Sequence, residues 1–94
     1  MDSIIQNKKE CIICGGYCGL ESHHCLLGKN RKKAEEDGLK VWLCYEHHRG
    51  TNGVHGKNGH ELQEYLKVIA EKAWIKKYNK TKEDFIERYG RNYL

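Results

Sequence analysis

The sequence contains no proline, one phenylalanine and one methionine. It has no internal repeat, which excludes a solenoid or propeller built from stacked units. No stretch approaches the ~20 consecutive apolar residues of a membrane-spanning helix, so no membrane partner is expected. The opening residues, Met1 to Lys9, carry no apolar run of signal-peptide length, and a cytoplasmic setting is the expectation. Thiols stay reduced there. The cysteine count, five, is odd and cannot close as a full set of internal disulfides. Low-complexity sequence is also lacking, apart from one basic run.

What remains is a short polar chain. Its 94 residues make one expected domain, 1–94, with a core over 11–60 and helices over about 60–90. A chain of this size buries only about two-thirds of its unfolded surface, so its core is thin. Hydrophobic residues are 38% and charged residues 32%, which leaves little apolar material to fill that core. A structural zinc would then matter, since such sites supply roughly 10 kcal/mol of apparent binding free energy. The formal net charge of +4 is compatible with a nucleic-acid partner without requiring one.

The fold expected is α+β. Residues 1–10 read as a loose lead-in. Cys11-Ile-Ile-Cys14-Gly15 reads as a knuckle in which Gly15 takes a positive φ. Residues 20–27 fit a short strand. Residues 28–38 have no apolar face and read as a surface loop with at most a helical turn around Ala34. Residues 39–43 resemble a second strand, giving a hairpin with a long connection. A short helical turn follows Cys44, and Gly50, Gly53, Gly56 and Gly59 then break the chain into a loop. Asn58, three residues before Glu61, suggests a helix cap. Apolar residues at 62, 65, 66, 69, 70, 73, 74 and 78 form a helical stripe, with Tyr65, Trp74 and Tyr78 as core, ended by Asn79 and Lys80. Thr81 caps a last helix carrying Phe85, Ile86 and Tyr89, and Gly90 stops it.

Cysteine and histidine carry the chemistry. Zinc prefers four sulfur or nitrogen ligands in a tetrahedron. Cys11-x-x-Cys14 and Cys44-x-x-His47 supply that set from two parts of the chain, although Cys18 or His48 could replace a member. Cys18 and Cys25 otherwise read as small packed residues. His23 and His24 are consecutive on a strand, so they face opposite sides and should have different roles. His48 and His55 follow the second knuckle closely, while His60 reads as a surface residue. Lys29, Arg31, Lys32 and Lys33 form a basic loop, either a phosphate contact or a solvated turn. Lys72, Lys76, Lys77, Lys80 and Lys82 form a second basic patch, suited to DNA or to keeping the helix in solution.

Taken in order, the Cys-x-x-Cys-Gly knuckle, the strand with a histidine pair, the variable loop, Leu43-Cys44-x-x-His47-His48 and His55-Gly56 resemble the HNH endonucleases. The zinc-stapled forms common in phages and prophages look most similar, and the resemblance spans roughly residues 11–60. It implies the ββα-metal fold and hydrolysis of DNA phosphodiester bonds. It makes His24 the general base, and His23, His48 and His55 the ligands of a divalent cation such as Mg²⁺, Mn²⁺ or Ni²⁺. Cys11, Cys14, Cys44 and His47 would hold a structural Zn²⁺, and Lys29, Arg31, Lys32 and Lys33 would meet DNA. The family's middle asparagine has its nearest counterpart in Asp37, which either orients His24 or simply forms an Asp-Gly turn. In the DNase colicins the last two histidines are four apart, whereas His48 and His55 are seven apart. The alternative is a zinc-stapled module that kept the fold but lost the chemistry and binds DNA or a protein, as an inhibitor or accessory factor. A protein partner or a homodimer fits either reading.

Overall fold

The computed structural model describes residues 2–94 and is built on a two-stranded antiparallel sheet. Strand β1 (Glu21–His24) pairs with β2 (Lys40–Leu43), and His23 lies opposite Val41. Alternation sets which residues enter the core. Val41 and Leu43 are buried with His23, while Lys40 and Trp42 are half-buried on the other side. Four helices complete the fold: α1 (Arg31–Asp37), α2 (Tyr45–His48), α3 (His60–Tyr78) and α4 (Lys82–Tyr89). No helix is long and apolar enough to cross a membrane among the described residues.

The connection between the strands is more ordered than its composition suggests. A 3-10 turn at Gly28–Asn30 runs into α1, where a loop is expected from the sequence. One small residue suffices to seat this helix: Ala34 is fully buried. Gly38 ends it at φ 76°, and a Cβ there would lie 2.5 Å from the Asp2 carbonyl oxygen, so only glycine fits.

Asp37, at the end of α1, ties three helices together. Its carboxylate accepts from Trp74 Nε1 at 2.8 Å, from Arg88 Nε at 2.5 Å and Nη2 at 3.0 Å, and from the Tyr89 hydroxyl at 2.5 Å. Its carbonyl accepts from the Tyr78 hydroxyl at 3.0 Å. Beside it, Trp74 and Phe85 meet edge to face with ring centroids 5.5 Å apart. This network is what welds α3 and α4 to the hairpin connection.

Residue 1 of the expected lead-in lies outside the described residues, and residues 2–10 are not loose. They run along the outer edge of β2, where Ser3 Oγ donates to the Lys40 carbonyl at 2.6 Å and Trp42 N–H donates to Gln6 Oε1 at 2.7 Å. Ile4 N–H donates to the Gly38 carbonyl at 2.9 Å. Polar residues form this strap because its work is hydrogen bonding to an open strand edge.

The C-terminal helices follow their sequence signals closely. Thr81 accepts from Asp84 N–H, and Asp84 returns a bond to Thr81 N–H, a full capping box. Asn79 at φ 53° and Gly90 at φ 83° terminate α3 and α4 in the left-handed region. Two expectations differ. Gly59, not Asn58, is the N-cap of α3, and Asn58 bonds Asn52 instead. Tyr65 is 56% exposed, because the buried line of α3 runs through Leu66, Ala70, Glu71 and Trp74. Replacing Asp37 with alanine should cost about 3 kcal/mol by stranding several donors, read as a lower urea midpoint of the zinc-loaded protein. An unchanged midpoint would remove Asp37 from its place as the tie.

Candidate functional site

Two turns bring the knuckles together. In the first, Gly15 N–H donates back to the Cys11 carbonyl at 2.8 Å, and Gly15 adopts φ 74° as its position requires. In the second, Cys44 is the N-cap of α2, so its thiol and the His47 ring project from one helical turn. The sulfurs of Cys14 and Cys44 are 3.8 Å apart, far beyond the roughly 2.05 Å of a disulfide. His47 Nδ1 lies 3.2 Å from Cys44 Sγ and 3.6 Å from Cys11 Sγ. A zinc tetrahedron with ordinary bond lengths has edges of about 3.8 Å between sulfurs and about 3.5 Å between sulfur and nitrogen. Cys11, Cys14, Cys44 and His47 therefore could hold a structural zinc, with all ligand atoms within 4.8 Å of one another.

The thiols are electrostatically suited to a cation. Burial opposes ionisation of Cys11, but the backbone N–H groups of Cys44, Cys14 and Ile13 outweigh it and bring the thiol down to about 6. At Cys14 the Gly16 N–H favours the thiolate, yet desolvation and the thiols of Cys11 and Cys44 outweigh it and push the value up. Neighbouring thiolates repel, and a dication removes that repulsion. Of the spare cysteines, Cys25 is packed as expected, with burial pushing its thiol up to about 12. Cys18 is exposed rather than packed, because its role is a backbone one: its carbonyl accepts from Tyr45 N–H at 3.2 Å.

A second cluster forms from His23, His48 and His55, whose candidate ligand atoms also lie within 4.8 Å of one another. The seven-residue interval between His48 and His55 is closed by the glycine loop. Val54 N–H donates to the His47 carbonyl at 2.9 Å and His55 N–H to the His48 carbonyl at 3.0 Å. A Cβ on Gly53 would sit 2.7 Å from the Glu46 carbonyl oxygen, so this tight return requires glycine. Gln63 of α3 holds the loop from behind through the Val54 carbonyl.

His23 is 3% exposed. Burial first, then the fields of His48, His55 and His24, bring its pKa down to about 4, so the ring is neutral at pH 7 and its lone pair is free. His55 is lowered as well, by burial first and then by the fields of His48 and Arg49. His48 Nδ1 lies 3.0 Å from Glu21 Oε1. A carboxylate only accepts, so Nδ1 carries a proton and Nε2 is the ring nitrogen left for a metal. Glu21 is in turn gripped by Arg49, at 2.8 Å from Nε and 3.2 Å from Nη2. Those bonds from Arg49 and His48 bring its carboxyl down to about 2.

His24 faces the other side of β1. Its Nε2 lies 2.8 Å from Glu35 Oε1 on α1, and Lys40 Nζ lies 2.9 Å from Glu35 Oε2. Hydrogen bonds from His24 and Lys40 hold the Glu35 carboxyl at about 2. The carboxylate beside His24 is thus Glu35, not Asp37, whose oxygens are taken by Trp74, Arg88 and Tyr89. In the basic loop Lys29, Arg31, Lys32 and Lys33 are all exposed, but Lys33 Nζ donates to the Arg88 carbonyl at 2.8 Å. His60 is exposed and outside both clusters.

Sequence reasoning missed Glu21, Glu35 and Arg49. Glu21 was findable, since two residues before His23 on a strand is the same face. Glu35 was hidden by the expectation of a loop. Comparison with protein families, curated proteins and solved structures finds no match for this chain.

Two outcomes follow. Cys44→Ala should yield protein without bound zinc and without its folded circular dichroism, and a folded variant with full zinc content would refute the site. Glu21→Ala should keep the fold while weakening binding of Ni²⁺ or Mn²⁺ at the histidine cluster about 10–100-fold by calorimetry, and unchanged affinity would show that Glu21 does not orient His48.

Proposed function

We propose that this chain is a metal-dependent endonuclease of the HNH type that hydrolyses DNA phosphodiester bonds. The observation that carries this reading is the convergence of His23, His48 and His55 from a strand, a helix and a glycine loop onto one point, beside the His24 pair partner. The pairing of β1 with β2, the helix α2 that follows β2 directly, and the adjacent cysteine cluster support the ββα-metal architecture that goes with it, with α1 inserted between the strands.

The residues divide the work by their protonation. His23, neutral through burial, and His48, with Nδ1 committed to Glu21, each offer a lone pair, and His55 completes three ligands. Three protein ligands leave room for a substrate oxygen. A divalent cation there would stabilise negative charge building on the scissile phosphate and leaving oxygen. His24 takes the proton from the attacking water through Nδ1, because Glu35 occupies Nε2 and fixes the tautomer. Glu35 serves in place of the family's asparagine. Lys29, Arg31 and Lys32 meet the phosphate backbone, and such contacts give affinity without sequence choice.

A second reading is a zinc-stapled module that binds DNA or a protein without cutting. One observation favours it: Asp37, at the place of the orienting residue, is fully used in holding helices together.

A supercoiled-plasmid assay separates the two. Zinc-loaded protein supplied with Mg²⁺, Mn²⁺ or Ni²⁺ should nick the plasmid. His24→Ala should still bind the cation and retain its fold while losing at least about 100-fold in rate. Nicking by the variant at the native rate would remove His24 from the mechanism, and no nicking with any cation would leave the binding module.

A further inference from the structure

One face of α3 serves neither cluster. Ile69, Ala73, Lys76 and Lys77 recur at helical spacing along it. With Ile4 and Ile5 of the N-terminal strap they line an open groove of about 580 Å³. Its walls are fixed, since Ile4 N–H is bonded to Gly38 and Ile5 N–H to Ser3 Oγ at 3.0 Å. Ile4, Ile5 and Ile69 are only half-buried against the core.

The charged side chains that line this groove, Lys76 and Lys77, are of one sign. Both are exposed, and neither forms an ion pair with a carboxylate among the described residues. By contrast Lys67, earlier on the helix, lies 3.9 Å from Glu64. Phosphate backbones alone would match the lysines but would bury nothing against aliphatic walls. Membrane surfaces would need projecting apolar side chains, and here the isoleucines are recessed. A second copy of the chain would bring its own lysines against these.

We infer that this groove docks an acidic amphipathic segment of a protein partner. Its aliphatic side chains fill the space between Ile5 and Ile69, and its flanking carboxylates pair with Lys76 and Lys77. Buried aliphatic contact supplies the affinity and the lysine rim supplies the choice of partner. This goes beyond the nuclease reading and uses none of its residues.

The probe is a displayed library of random peptides of about 16 residues, long enough for four helical turns, selected on the zinc-loaded chain. Enriched peptides should combine aliphatic residues at helical spacing with Asp or Glu on the flanks. Their affinity, read by fluorescence anisotropy, should fall at least about tenfold with Ala73→Glu and with the double variant Lys76→Glu, Lys77→Glu. The lysines are exposed, so the double variant tests the groove even where Ala73→Glu fails to fold. The inference is overturned if no acidic–aliphatic peptides are enriched, or if the double variant binds them unchanged. Displacement of the peptides by duplex DNA would instead make the patch a nucleic-acid surface, and displacement by phosphatidylserine vesicles a lipid surface.

Discussion

The rest of the structure depends on three thiols and one imidazole gathered within reach of a single ion. Cys14 and Cys44 are 30 residues apart in sequence and 3.8 Å apart at sulfur. Closing that interval fixes the hairpin against the turn that starts α2, and through α2 it fixes His48. A chain with so few apolar residues cannot hold such a closure by packing alone. The cluster also explains why two groups of candidate ligands share so short a segment. His47 and His48 are neighbours, one turned to the cysteines and the other to the histidines. Rigidity in the first cluster is thereby transmitted to the second with no intervening element.

The histidine cluster is arranged by a different principle. No single partner lowers His23; burial does most of it, with three neighbouring imidazoles adding to it. On its rim, Glu21 and Arg49 make a carboxylate–guanidinium pair that orients His48 while keeping the local charge balanced. On the far face of β1, Glu35, Lys40 and His24 repeat the arrangement with a lysine in place of the arginine. Both histidine faces of one strand are thus backed by a carboxylate that is itself pinned by a cation.

What could be read in the sequence was local. Gly15 and Gly90 act through their own backbones and Thr81 through its own hydroxyl, and their roles followed from residue type and position. Spacing pointed to Cys11, Cys14, Cys44 and His47 but left Cys18 or His48 open as a replacement, and the structure gathers the first four. The misreadings were tertiary. Helix α1 has no apolar stripe and is held by Ala34 and by the bonds of Asp37, so its periodicity carried no signal. The strap over residues 2–10 is polar because it binds a strand edge, and polarity resembles disorder when its partner is unknown. Tyr65 sat on the expected stripe but at its margin, where a long helix drifts out of contact with a small core.

That strap bears on the behaviour of the chain in a crowded solution. A two-stranded sheet presents two open edges, and each is a template for pairing with another chain. Ser3, Gln6 and Ile12 occupy the outward-facing groups of Lys40 and Trp42, and Lys9 lies over the Trp42 ring at 4.7 Å. The edge of β2 is thus satisfied from within the same molecule, which among the described residues leaves the edge of β1 as the one a neighbour could extend. Residues 3–12 thus do for one edge of the sheet what a further strand would do, and they deny that edge to a neighbouring chain.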